Sequence, residues 1–422
     1  MKRQLIHGDS VKELKKFDDN SVDLLCTDPP YGYGFMGRDW DKVLPDIKIF
    51  EECFRVLKPG SMAFVMSAPR SDVQYRMAEM LEKVGFKIDY TPIYWTYASG
   101  FPKAMNIGKM IDKRKGVERE VIGKNPNHRE SEALYELGFQ GGKGDGNIVG
   151  GAVSDEAKKL DGSYGGFQPK PAVEVVIVAM KPLNKKGYLE QAQDNGKGIT
   201  WFDDCRIPFS DESEHWGNVP ADDIRGGNLI NDETKNHPTL IKNSSPMGRF
   251  PANMLVSDEA LNDYSNFFSL DSWFEENLKS LPEPVQQTFP FMIVPKASKS
   301  EKNEGLDDFE EQFKAGADFR PNHKEKALKG EDGNPYGRWN KIKNIHPTVK
   351  PLTLMNYLVV LGSRKGDVVL EPFAGSGTTA LACVSQERDY IAIEREEEYY
   401  EIAKARLDKV EQPLKMWEKF SG

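Results

Sequence analysis

A chain of 422 residues is long for one domain and short for three, which predicts a large α/β core carrying one sizeable insertion. Its 38% apolar and 10% aromatic residues suffice for a packed interior, and no apolar stretch has the length of a bilayer span, which argues against a membrane protein. The formal charge of -9 argues against a protein that coats nucleic acid regardless of sequence, because phosphate binding grows with the number of cations presented, but it leaves room for a local basic groove.

Met1-Lys2-Arg3 leads into a strand-like Gln4-Leu5-Ile6 without the hydrophobic region of an export signal. Val22 to Thr27 reads as a second buried strand, separated from the first by the amphipathic run Val11 to Phe17. A helix from Leu44 to Leu57 is predicted to stop at Pro59-Gly60, ahead of an apolar strand from Met62 to Met66. Ser71 to Val84 reads as a further helix ended by Gly85, and Lys87 to Thr96 alternates like a strand. Strands and helices alternating at this spacing predict a doubly wound, mostly parallel sheet covered on both faces.

Periodicity fades after Gly100, and residues 124–168, rich in glycine around Gly141-Gly142-Lys143-Gly144-Asp145-Gly146, read as a mobile loop. Val173 to Met180 reads as another core strand that closes the first part of the sheet. Asn184 to Asn344 is irregular, with Trp201, Trp216, Trp273 and Trp339 among loops and short elements and no internal repeat. The doubly wound pattern then resumes with a helix from Leu352 to Leu361, a strand Val368 to Leu370, a helix from Ser376 to Ser385, a strand Tyr390 to Ile393 and a helix from Glu396 to Leu407. The sheet is therefore expected to be assembled from both chain ends, residues 1–183 and 345–422, around an insertion at 184–344.

Cys26, Cys53, Cys205 and Cys383 stand singly and never in Cys-x-x-Cys spacing, which predicts neither a zinc site nor disulfides and fits a reducing cytoplasm. The histidines, His7 and His346 among them, show no metal-ligand spacing, and no metal is expected. Basic residues gather between Lys103 and Lys124 and between Arg320 and Lys350, acidic ones between Asp203 and Glu214 and between Asp307 and Glu311, patterns that solvated faces also produce.

Two motifs carry chemistry. Glu371-Pro372-Phe373-Ala374-Gly375-Ser376-Gly377-Thr378 follows a strand and opens a helix, the place where nucleotides bind in open α/β sheets. Glycines there let the backbone approach a ligand, and the helix start offers amide donors. Glu394 ends the next strand, where an acidic side chain can accept from ribose hydroxyls. The third glycine of a dinucleotide fingerprint is absent from Gly377-Thr378-Thr379-Ala380, which disfavours an oxidoreductase. A lone Gly-x-Gly is often only a tight turn; Glu394 and the flanking strands weigh against that here.

Asp28-Pro29-Pro30-Tyr31 follows the strand Val22 to Thr27 and so belongs to the same carboxyl edge. An exocyclic amine of adenine or cytosine is a poor nucleophile because its lone pair is delocalised into the ring. Acceptors for both amine hydrogens favour the pyramidal geometry that frees the lone pair, and the Asp28 carboxylate with the Pro29 carbonyl suits that role. The two prolines fix φ and remove competing donors, and Tyr31 offers a ring on which an extruded base can stack. A proline turn with Asp28 as its turn residue is the plainer alternative.

Together these segments resemble the amino-methyltransferases of DNA, specifically the permuted group in which the catalytic motif precedes the cofactor motif. Asp28-Pro29-Pro30-Tyr31 is similar to the catalytic tetrapeptide of that family and Phe373 to Thr378 to its S-adenosylmethionine loop; Gly8-Asp9 and His346-Pro347-Thr348-Val349-Lys350-Pro351 are further matches. The resemblance implies a Rossmann-like methyltransferase sheet, with Asp9 and Glu394 on the adenosine moiety and Thr348 and Lys350 placing the amino-acid end. It also implies that residues 184–344 are a target-recognition segment acting on double-stranded DNA with a flipped base. Trp201, Trp216 and Trp339 are candidates for stacking on DNA, although tryptophans in an irregular region more often form its core.

Aspartate at the head of the tetrapeptide leans towards adenine N6, with cytosine N4 as the near rival. A DNA-binding protein without catalysis, and an amino-methyltransferase acting on RNA or on a protein glutamine, are the remaining alternatives. Neither length nor composition decides between a monomer and a homodimer.

Overall fold

The computed structural model describes residues 3–32, 43–97, 105–124, 147–167, 172–208, 248–257, 269–288, 302–303, 305–307, 309, 312–313, 341–344, 346 and 348–421. They fall into two compact units, one of Met1–Ala98, Val173–Phe309 and His346–Gly422, the other of Ser99–Ala172 and Glu310–Ile345. In chain order the elements begin with β1 (Arg3–His7), α1 (Ser10–Leu14), β2 (Val22–Thr27), α2 (Ile47–Val56), β3 (Leu57–Ser67), α3 (Ser71–Val84), β4 (Ile93–Thr96), α4 (Ile107–Arg114), β5 (Val121–Lys124), β6 (Asn147–Val149) and α5 (Asp155–Lys159). They continue with β7 (Val173–Met180), α6 (Tyr188–Asn195), β8 (Met254–Val256), α7 (Leu270–Lys279), α8 (Glu283–Thr288), β9 (Gln312–Phe313), β10 (Lys341–Ile342), α9 (Leu352–Gly362), β11 (Val368–Glu371), α10 (Thr378–Ser385), β12 (Asp389–Glu394) and α11 (Glu397–Ser421).

The larger unit is built on an eight-stranded sheet ordered β1-β12-β11-β2-β3-β7-β4-β8. Every neighbouring pair is parallel except the two made by β7, which runs against both β3 and β4. Both chain ends supply strands, as the alternating pattern predicts. From β2 the chain winds to β3 on one side, and from β11 it winds to β12 on the other. The boundary between β2 and β11 is therefore the switch point at whose carboxyl edge an open α/β sheet forms its crevice.

Alternation along the strands fills two layers. Leu24, Cys26, Phe64 and Met66 face a cluster with α9 and α10, while Val22, Leu25, Ala63 and Val65 face Phe50 and Cys53 of α2 and Met77 and Leu81 of α3. Helix α9 is buried along its whole length, as expected of a helix apolar on every side. It comes close to the sheet at Gly362, where a Cβ would lie 2.6 Å from Leu24 Cδ1 and 2.8 Å from Phe64 Cε2. All four cysteines are reduced and buried, and burial raises the pKa of each. Among the described residues no helix is long and apolar enough to cross a membrane.

Two expectations need revision, and the sequence leaves the direction of one strand open. β7 is antiparallel, a distinction that an unbroken apolar run does not encode, since such runs suit any strand buried on both faces. Part of the expected insertion belongs to the core: β8 extends the sheet beside β4, and Trp273 of α7 meets Tyr357 of α9 edge-on at 5.0 Å between ring centroids. Met254-Leu255-Val256 is too short a run to stand out as a strand in an irregular stretch. Finally, the segment read as a mobile loop contains β6 and α5, the latter capped by Ser154 Oγ accepting from the Ala157 amide; residues 125–146 lie outside the described residues.

The smaller unit packs α4 with α5 and pairs β5 with β6, and β9 with β10, antiparallel. Its centre is Asp112, 1% exposed, whose carboxylate accepts from Arg119 Nε, the amides of Val153 and Ser154, and Ser154 Oγ. These hydrogen bonds, led by that from Ser154, hold the Asp112 carboxyl well below its usual range.

Candidate active site

The glycine-rich loop sits between β11 and α10, as its position after an apolar strand predicts. Gly375 (φ +53°) and Gly377 (φ +80°) adopt left-handed conformations, and Gly377 is the residue that caps α10. A Cβ on Gly375 would lie 2.7 Å from His346 Nε2, so the loop lies directly against the imidazole. His346 in turn meets Tyr399 edge-on at 4.6 Å. The Glu394 carboxylate accepts from the Gly375 amide at 2.7 Å and from the Glu396 amide at 2.8 Å, fixing the loop against the end of β12. Burial raises the pKa of Glu394, and the two amides work against that rise.

Two further residues brace the loop. Ser10 Oγ donates to the Pro372 carbonyl at 2.6 Å, and Arg406 donates to the Ser376 carbonyl at 2.6 Å and to Ser376 Oγ at 3.1 Å. Arg406 is 1% exposed on α11, beneath the loop. The sequence signal for it is a cation within the buried stripe of Ile402, Ala403, Leu407 and Val410, a position that calls for partners.

Glu371 joins the two motifs. It is buried and accepts from Thr27 Oγ1 at 2.5 Å, Thr379 Oγ1 at 2.8 Å and the Phe373 amide at 3.0 Å. Thr27 immediately precedes Asp28, so the glycine loop and the Asp28 tetrapeptide leave adjacent strands side by side. Burial pushes the Glu371 carboxyl up to about 8 against the pull of its three donors.

At the tetrapeptide, Asp28 is half-buried with both oxygens engaged. Tyr31 Oη donates to Oδ1 at 2.8 Å and Lys350 Nζ to Oδ2 at 2.6 Å. Lys350 also lies 3.3 Å from Glu174 Oε2, and Tyr31 Oη lies 3.5 Å from the same oxygen. Burial would lower the Lys350 pKa, but the Asp28 and Glu174 carboxylates outweigh it and hold the ammonium above its usual range. Burial, and then the Glu174 charge, push nearby Tyr97 up to about 12. Glu174 escapes motif reading, yet it is the one acidic residue in the apolar run Val173 to Met180.

Of the other residues singled out from sequence, Asp9 caps α1 by accepting from the Lys12 amide, and the Gly8 amide donates to the Glu394 carbonyl at 2.9 Å, which sets Asp9 beside the end of β12. Thr348 is half-buried, its amide 3.4 Å from His346 Nδ1. Lys350 reaches the Asp28 carboxylate. Trp273 is core, Trp201 carries the Arg364 guanidinium 3.4 Å above its ring, and Trp216 and Trp339 lie outside the described residues.

The site thus sets a hydrogen-bonded carboxylate and a glycine loop on adjacent strands. Residues 285–405 match the family model of N6- and N4-type DNA methylases. The chain is 43% identical over 79 residues to the type II methyltransferase M2.MboI of Moraxella bovis, covering 19% of this chain and 29% of that one. It is 45% identical over 69 residues to the type II methyltransferase M.HpaI of Haemophilus parainfluenzae, covering 16% and 22%. The chain thus spans less than a third of the length of these relatives. Among solved structures it aligns with the M1.HpyAVI–SAM complex at 16% identity and TM-score 0.39, covering 96% of this chain and 98% of that one. It aligns with the cytosine-N4-specific PvuII DNA methyltransferase at 14% and 0.41, covering 98% and 91%. Over the residues they cover, these matches make the chain similar to N6- and N4-type DNA methylases, in line with the resemblance its motifs carry.

Proposed function

We propose that the protein is a site-specific DNA methyltransferase that moves a methyl group from S-adenosylmethionine to the N6 amine of adenine. The observation that carries this reading is the Thr27–Glu371 hydrogen bond, which sets the tetrapeptide and the glycine loop side by side at the switch point.

The residues present suit the cofactor. Gly375 and Gly377 take left-handed conformations that bring the loop against His346 and Ala403, α10 opens there with its first-turn amides, and the Glu394 carboxylate at the end of β12 suits the adenosine hydroxyls. Phe373, Ala374, Ser376 and Thr378 complete the loop, with Asp9 on the adenosine side and Thr348 on the amino-acid side. When bound, S-adenosylmethionine supplies a methyl group already activated on a sulfonium centre. The chain's own contribution is alignment: Asp28 and the Pro29 carbonyl accept from the exocyclic amine, Pro30 stiffens the turn and Tyr31 supports the extruded base. Double-stranded DNA with a flipped target base is the implied substrate, and residues within 184–344 are assigned to target recognition.

The test is to incubate the protein with DNA and S-adenosylmethionine, digest to nucleosides and identify the product by mass. N6-methyladenosine as its deoxynucleoside supports the reading. The cytosine N4 product would replace adenine with its near rival, and absence of any methylated base would remove the activity altogether.

A further inference from the structure

The antiparallel course of β7 has a chemical consequence. Asp28 leaves the carboxyl end of a strand, and a parallel β7 would carry its second residue to the opposite edge of the sheet. Because β7 is reversed, Glu174 lies at the carboxyl edge, paired in register with Trp95 of β4. Its Oε2 reaches the two donors that occupy Asp28: Lys350 Nζ at 3.3 Å and Tyr31 Oη at 3.5 Å, against 2.6 Å and 2.8 Å to Asp28 itself. Two carboxylates therefore share one ammonium and one hydroxyl, and the shorter contacts belong to Asp28. Lys350 is 10% exposed and Glu174 21%, so these charges act in a medium of lower dielectric than water.

Resting on the methyltransferase reading, we infer that Glu174 is a positioning residue for the transfer step: it receives Lys350 and Tyr31 as the target amine arrives, so that Asp28 meets that amine unencumbered. A carboxylate held by an ammonium and a phenol is a weak acceptor for a further N–H. Moving the two donors the short distance to Glu174 leaves both hydrogen-bonded and exposes Asp28, at no loss of partners for any buried group. The charge count also favours the arrangement, since two carboxylates and one ammonium leave one net negative charge. During transfer the amine lone pair bonds the methyl carbon, the carbon–sulfur electron pair returns to sulfur, and the nitrogen becomes cationic until its proton passes to Asp28. With Lys350 committed to Asp28 alone, that cation would face a neutralised pair.

The plainer role for Glu174 is to help balance the charge of Lys350, and a double-mutant cycle separates the two. Glu174→Gln keeps size and an acceptor oxygen but removes the charge. We expect kcat to fall about 10- to 100-fold while cofactor affinity by calorimetry stays within about twofold, and Glu174→Asp to recover part of the loss. In a Lys350→Met background the same Glu174→Gln change should cost nothing further or raise kcat, because without the ammonium Glu174 only repels Asp28. An unchanged kcat in Glu174→Gln alone overturns the inference and needs no second variant to fold, and additive losses across the cycle overturn it too. If the wild-type enzyme methylates no DNA, the methyltransferase reading fails and the inference with it. If it methylates DNA and the cycle is additive, only the role of Glu174 fails.

Discussion

Thr27 and Glu371, 344 positions apart, share a 2.5 Å hydrogen bond across neighbouring parallel strands. One precedes the tetrapeptide and the other opens the glycine loop, so this contact ties the two motifs together. Glu371 is also buried, with no ion-pair partner among the described residues, which makes its protonation part of the stability of the site.

The Glu371 carboxyl is raised from 4.5 to about 8, so the folded state holds a proton there that the unfolded chain releases. Its contribution to stability is full below about 4.5 and is lost as pH rises towards about 8. Urea unfolding measured across this window should show stability falling with pH, and Glu371→Gln should flatten the slope. An equally steep slope in the variant would place the titration elsewhere.

Asp28→Ala removes the proposed acceptor for the amine but leaves Lys350 beside Glu174, so the buried ammonium keeps a partner. Methyl transfer should fall by at least about 10²- to 10³-fold, with cofactor binding largely retained. Calorimetric titration together with a labelled-methyl assay reads both quantities, and loss of cofactor affinity would show that Asp28 belongs to the cofactor site.

A side chain at position 375 meets two obstacles: the φ of +53° and the His346 ring at 2.7 Å. Gly375→Leu should weaken S-adenosylmethionine binding by more than about tenfold, because a left-handed leucine alone costs about 1–2 kcal/mol and the ring must also move. Equilibrium binding of the cofactor to the variant checks this.

Arg406 supports the same loop from below. Arg406→Met keeps the apolar stem and deletes the hydrogen bonds to Ser376, at a cost of about 1.5–3 kcal/mol by urea unfolding. Cofactor affinity should drop alongside stability. Normal binding in a destabilised variant would make Arg406 a residue of the fold alone.

Trp273 is 2% exposed, donates from Nε1 to the Asp204 carbonyl at 3.0 Å and packs on Tyr357. Trp273→Ala should destabilise the sheet-bearing unit by about 3–5 kcal/mol. A separately folding insertion would instead let cofactor binding survive heating unchanged, which thermal melts with and without cofactor distinguish.

Much of this molecule was legible in its residues. The helix from Ser71 to Val84, closed by a left-handed Gly85, matches its reading residue for residue, because propensity, periodicity and terminator agree there. The placement of Asp28 and Gly375 at one edge follows from strand-then-motif order alone. Less legible were features set by pairing between distant segments. The apolar run of β7 fits either direction, so the approach of Glu174 to Lys350 depends on a sheet neighbour chosen by the whole fold. β8 and α7 were hidden for a related reason: their short apolar runs gain meaning only against β4 and α9. Glu394 ends β12 as the sequence pattern predicts, whereas its backbone-amide partners, Gly375 and Glu396, are invisible in sequence.

The cysteines offer an experimental opening. Every native thiol is enclosed and shifted towards its unreactive protonated form, so maleimide or nitroxide reagents should leave the folded protein unlabelled. A single Tyr75→Cys change, at a position 65% exposed on α3, would then give one clean attachment point for a fluorophore that reports DNA engagement without background.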